Sequence, residues 1–194
     1  RLTGEYKFRV EKEKIRQRHN KESEFLFPIS EYDWNDSICP NQFEDLIKAL
    51  LERESSIESV RKNSPTNQGD KGRDLLIDWN VTNDVFVSEG ISPIRRIKVV
   101  GQCKASSGTV GKSKVQDIRD TIETHNANGF FLAVSSQISA PLTEKLEDLK
   151  SKGIWTEWWN KDDIEIRLSK NPELIPLFPK VLKAKKVVKF YEKD

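Results

Sequence analysis

Hydrophobic positions change period along the chain, and each change predicts an element. Phe43, Leu46, Ile47, Leu50 and Leu51 recur at helical spacing. The helix they predict begins near Asn41, a good N-cap, with Glu44 three residues on in a capping-box-like position. Ile57 to Val60 begins a strand. Arg73 to Trp79 and Ile94 to Ala105 each alternate as a strand does. Between them, Asn80–Pro93 reads as a hairpin or loop, with room for a short strand at Val85–Val87. Ser113 is placed as the cap of a second helix, with Gln116 in the capping-box position and Val115, Ile118 and Ile122 facing inward. Gly129–Ser136 contains the run Phe130-Phe131-Leu132-Ala133-Val134, the signature of a strand buried on both faces. Ser139–Lys152 is an amphipathic helix carrying Leu142, Leu146 and Leu149, ended by Gly153. Ile154–Trp159 is a further strand, and Asn160 caps a short helix that reaches Leu168.

The two ends read differently. Tyr6, Phe8 and Val10 alternate with polar residues and suggest a short strand, followed by a helix-compatible but apolar-poor run over Glu11–Lys21. Residues 25–40 hold aromatics and prolines without periodicity, which suggests an ordered loop packed on the core. Pro172, Pro176 and Pro179 punctuate what reads as a loosely structured tail. Early strands lie close together and later ones alternate with helices. The fold class is therefore α/β, with a central mixed β-sheet flanked by helices on both faces.

Two of the strands carry polar residues where a buried strand should not. Gln102 and Lys104 share a face with Val100, and Asp74 shares one with Leu76. Charges on covered strands are costly unless paired or bound to metal. An acid on one strand with an amide and a lysine on the next suggests a site. Asp74 is the strongest candidate ligand for Mg²⁺, which favours hard oxygen donors; alone it would read as an Asp closing a Gly-rich turn. Gln102 offers a neutral amide oxygen. Lys104 can stabilise charge developing on a phosphate, and cannot act as a base while protonated. Glu44 is the third acid, with the capping box as its competing explanation. Asp70 and Asp78 are weaker candidates.

Gly69-Asp70-Lys71-Gly72-Arg73-Asp74 followed by Gln102-Cys103-Lys104 resembles the active-site signature of restriction-endonuclease-like nucleases. The broad pattern is an acid, a spacer, then acid-x-lysine, and the Gln-x-Lys version resembles the Mrr-like restriction endonucleases. Phe43-Glu44 matches the first-helix glutamate of that group. The resemblance runs from Gln42 to about Leu168. It implies a restriction-endonuclease-like core and phosphodiester hydrolysis in double-stranded DNA. It also implies dependence on Mg²⁺, with Mn²⁺ as a substitute, and Asp74, Gln102, Glu44 and the main-chain carbonyl of Cys103 as ligands. On this reading residues 1–40 are a charged N-terminal extension, 41–169 the nuclease domain, and 170–194 a basic tail or linker to a further domain. Cutting both strands calls for two sites, so a homodimer or higher oligomer is expected, acting in prokaryotic restriction or anti-phage defence. Lys112 and Lys114, placed at the start of the second helix, could meet a DNA phosphate there.

Composition narrows the classes without choosing among them. The chain has 194 residues, 36% apolar and 33% charged, which suits one ordinary domain with extensions. No run approaches the length of a membrane span and no signal peptide is evident, so a cytoplasmic setting is expected. The chain has no Met, which suggests a piece of a longer protein with further domains. Cys39 and Cys103 make no disulfide framework, and His19 and His125 show no zinc spacing. Residues 1–21 carry a net charge of +5 and 180–194 a net of +4, against −7 between them. The basic ends fit either nucleic-acid arms or solvated tails. Two rival functions stay open. Gly111-Lys112-Ser113 resembles the end of a phosphate-binding P-loop, although Ser106 stands where its first glycine belongs. A nuclease fold kept only for DNA binding or assembly is the other.

Overall fold

The computed structural model describes residues 7–8, 10–18, 31–62, 74–82, 94–115 and 117–185. Its centre is a five-stranded sheet of order β2-β3-β4-β5-β6. The strands are β2 (Ile57–Lys62), β3 (Leu75–Thr82), β4 (Ile94–Lys104), β5 (Gly129–Val134) and β6 (Trp155–Trp159). The β2/β3 and β3/β4 pairs are antiparallel, and β4/β5 and β5/β6 are parallel. Parallel neighbours need a crossover. Helix α3 (Ile118–Thr124) makes the first and α4 (Ala140–Ser151) the second.

Alternation along the strands divides the core in two. Leu75, Ile77, Val99, Cys103, Phe131 and Ala133 point to the face covered by α2 (Pro40–Leu51) and α5 (Lys161–Ser169). Phe130, Leu132 and Val134 point to the face covered by α3 and α4. All six residues of β5 are buried, as its unbroken apolar run predicts. The aromatic run on β6 is packing rather than a stacking platform. Trp155 lies 4.6 Å from Trp79 between ring centroids, and the Arg167 guanidinium sits 3.8 Å over Trp159.

Local chemistry fixes the helix ends. Asn160 and Asp163 form a reciprocal capping box at the start of α5. Gly153, at φ +83°, turns the chain out of α4. Two expected caps are corrected. α2 begins one residue earlier than expected, at Pro40, with Cys39 as N-cap and no side-chain cap bond. Proline at the first helical position is pre-shaped for that role. The helix expected from Ser113 is broken. Lys112–Lys114 is a single 3-10 turn, Val115 is extended, and α3 starts only at Ile118, where the Asp117 side chain accepts from Arg119 N. Gln116 lies outside the described residues, as do Asp70, His19 and the strand expected at Val85–Val87.

The ends are corrected too. Phe8 and Val10 lie in helical segments, not a strand; residues 10–18 form α1. Arg16 of α1 donates to Ser55 Oγ at 3.2 Å. β1 (Glu31–Trp34), read as loop, pairs antiparallel with β7 (Leu182–Lys185). Pro172–Leu177 is a 3-10 helix, and Leu174, Ile175, Val181 and Leu182 are buried against α2 and α5. The expectation of loose structure after Pro172 fails because these apolar residues seal the α2 face. Leu182→Ala is expected to cost about 2–3 kcal/mol. That is a fall in Tm of roughly 5–10 °C in a melt followed by circular dichroism.

Candidate active site

The site grows from a mismatch in strand length. Among the described residues the β3/β4 ladder ends at Leu75↔Gly101, while β4 runs on through Gln102, Cys103 and Lys104 beside β5. Asp74 has left the strand, and its side chain takes over the bonding. Its Oδ2 accepts from Cys103 N at 2.6 Å, and its own N–H donates to Gly101 O at 3.0 Å. A backbone N–H given to a carboxylate is a charge-assisted bond that fixes the carboxylate against the strand.

Register puts Gln102 and Lys104 on the β4 face of Val100, which lies opposite Leu76. Asp74, expected on that face of its strand, instead precedes β3 and is held against Cys103 N. Gln102 is fully buried beside Leu132, and Lys104, beside Val134, is half-buried. The Cys103 side chain points the other way, into the α2 core. Its thiol is pushed well up, by burial first and then by the negative charges of Asp74 and Glu44, with Lys62 and Lys104 opposing. Four charged side chains thus act on one buried position.

Glu44 reaches the group from the second turn of α2. The absence of a side-chain cap on α2 removes the capping box as its explanation. Its carboxyl is raised above the usual range by burial first; the Lys62 hydrogen bond opposes this and the Asp74 charge adds to it. Lys62 is a member of this charged group that the sequence did not reveal. It lies opposite Leu75 at the end of β2, 3.2 Å from Glu44 Oε2 and 2.8 Å from Asp45 Oδ1. From sequence alone it is one more surface cation after Arg61.

Other candidates fall outside this group. Asp78 accepts from Ser59 Oγ at 2.6 Å and pairs with Arg96 at 3.0 Å; the Ser59 bond is the main reason its carboxyl is held low. Lys112 and Lys114 are exposed on the turn after β4, and Lys114 Nζ donates to Ser106 Oγ at 3.3 Å. The helix N-terminus expected beneath them is absent, since α3 begins beyond them at an acidic cap.

The donors offered are oxygens: the Asp74 and Glu44 carboxylates, the Gln102 amide and the Cys103 carbonyl. That chemistry suits a hard divalent cation rather than a soft one. Among the described residues no three His, Cys, Asp or Glu side chains gather into a metal-binding group. An ion here would lean on the neutral amide and carbonyl donors.

The family model Mrr_cat, described as "Restriction endonuclease", matches residues 35–174. Among solved structures, the DNA modification-dependent restriction endonuclease AspBHI aligns at 14% identity and a TM-score of 0.48, covering 84% of this chain and 36% of that one. The MspJI restriction endonuclease in complex with a 27-mer oligonucleotide aligns at 14% identity and a TM-score of 0.44, covering 67% of this chain and 28% of that one. The chain therefore spans about a third of the length of these structures. No curated protein matches it.

Proposed function

This chain belongs to the Mrr_cat restriction endonuclease family, and on that premise we propose that it is a metal-dependent DNA endonuclease domain whose site is Asp74, Gln102, Lys104 and Glu44. The observation that carries the reading is the Asp74 carboxylate docked on Cys103 N, beside buried Gln102 and half-buried Lys104. A carboxylate held at 2.6 Å by main chain needs little reorganisation to act as a ligand. Gln102 and the Cys103 carbonyl supply further oxygens, and Glu44, held by Lys62 on α2, adds negative charge beside them. Mg²⁺, or Mn²⁺ in its place, would polarise the scissile phosphate and acidify a water when bound. Lys104 carries a fixed positive charge toward the same edge of the sheet, where it can oppose charge building on the phosphate. The substrate is double-stranded DNA. Lys112 and Lys114, exposed on the turn after β4, would meet its backbone phosphates.

The wider setting is proposed on the same footing. It comprises a nuclease core at residues 41–169, a longer parent chain, a homodimer or higher assembly for double-strand cutting, and a role in restriction or anti-phage defence in the cytoplasm. Among the described residues no helix is long and apolar enough to cross a membrane. The nucleotide-binding alternative loses its premise, because Gly111-Lys112-Ser113 opens a three-residue turn instead of a helix. Plasmid cleavage decides the matter. The parent protein is expected to cut with Mg²⁺ and to stop in excess chelator. Lys104→Ala is expected to cut roughly 100-fold more slowly; undiminished cutting by that variant would sink the assignment.

A further inference from the structure

We propose that Lys62 is the resident cation of the Glu44 half of the site, so that the domain works with one divalent ion per chain and Lys62 stands where a second would bind. This deepens the endonuclease reading and rests on it. The ammonium group has three oxygen partners: Asn41 O at 3.1 Å, Asp45 Oδ1 at 2.8 Å and Glu44 Oε2 at 3.2 Å. Three donors and three oxygens leave the group saturated. Two carboxylates and a main-chain carbonyl are the donor types a hard divalent cation would itself choose. Here a side chain fills that position from within the fold.

Burial makes the arrangement one that a second ion would have to displace. The side chains of Lys62 and Glu44 are 25% and 19% exposed, so the pair is less open to solvent than an ordinary surface bridge. Lys62 is anchored at the end of β2 opposite Leu75, and Glu44 sits on the second turn of α2. The ion pair thus ties helix to sheet at the edge where Asp74 docks. Charge supports the count of one. Among the described residues, Glu44 and Asp45 bond Lys62, and Glu44, Asp74, Lys62 and Lys104 act on Cys103, leaving one net negative charge. One divalent ion and one phosphodiester bring that cluster to neutrality, whereas a second ion would leave it strongly positive. Lys62 is a positioning residue on this view: it fixes Glu44 and sets the ion count without touching the reacting phosphate.

Mn²⁺ binding to the whole chain tests this directly, by calorimetry and by loss of the free-ion paramagnetic resonance signal. The parent is expected to bind about one Mn²⁺, lost in Asp74→Asn. Lys62→Met is expected to bind about two, the added ion disappearing again in Lys62→Met/Glu44→Gln. Lys62→Arg, which keeps the cation, is expected to stay at one. A second measurement does not depend on Lys62→Met folding. Glu44→Gln in the parent should weaken the first ion by less than threefold, because Glu44 is committed to Lys62. Two ions in the parent, one in a folded Lys62→Met, or a tenfold loss of affinity in Glu44→Gln would each overturn the proposal while leaving the endonuclease reading in place. Absence of any Mn²⁺ binding to the parent would overturn both.

Discussion

Asp74→Asn is expected to abolish DNA cleavage, slowing it by at least ~100-fold, while the protein stays folded. The substitution keeps the shape of the side chain and an oxygen able to accept from Cys103 N. It removes the charge. The structural loss is the difference between a charge-assisted and a neutral hydrogen bond, about 1 kcal/mol. The melting temperature should therefore fall by only a few degrees. The functional loss is far larger, since Gln102 and the Cys103 carbonyl are neutral and, among the described residues, the nearby acids Glu44 and Asp45 are both paired with Lys62. Plasmid cleavage with Mg²⁺ and a thermal melt on the same preparation separate the two effects. A variant that cuts at near-parent rate would show that Asp74 merely closes the end of β3.

Gly129→Val is expected to produce the largest loss of stability in the sheet. A Cβ at this position would lie 2.7 Å from the Trp155 carbonyl oxygen and 3.0 Å from its ring. Gly129 is paired in register with Trp155 at the start of the β5/β6 ladder. The obstructing atom is thus main chain inside a hydrogen-bonded strand pair, which cannot step aside as a flexible side chain would. Overpacking of this kind costs about 3 kcal/mol or more. A fall in Tm of about 10 °C or more is expected, exceeding that of Leu182→Ala. Gly108→Ala makes the control, because nothing lies within 4 Å of its added methyl group. A Gly129→Val protein as stable as the control would mean that β5 and β6 can separate more easily than the register implies.

What could be read from the sequence, and what could not, follows the range of the interactions. β3, β4 and β5 were legible because period-two alternation and unbroken apolar runs are local signals. The placing of Gln102 and Lys104 on one face followed from the same alternation; Asp74, read as part of its strand with the Gly-rich turn as the rival explanation, stands just before β3. β1 was not legible. Glu31-Tyr32-Asp33-Trp34 carries a weak pattern, and its partner lies about 150 residues away at Leu182–Lys185. Lys62 was hidden for the same reason, since nothing in Val60-Arg61-Lys62 announces two carboxylates on a helix earlier in the chain. The α2 cap was misread because Asn41 outweighed Pro40, although proline at the first helical position was the better cue. The second helix was misread because Ser113 and Gln116 fit a capping box while Asp117 caps the helix that actually forms.

The β1/β7 pair has a topological corollary. Glu31 lies directly across from Lys185, so the stretch from residue 31 to 185 starts and ends at neighbouring positions, about 5 Å apart at their Cα atoms. A unit whose entrance and exit coincide can be spliced into a surface loop of a host protein without stretching either chain. It can also be circularly permuted. A short linker joining residues 185 and 31 would let the chain open elsewhere, such as at exposed Gly108, with the sheet order intact. The clasp that seals the α2 face also makes the fold portable.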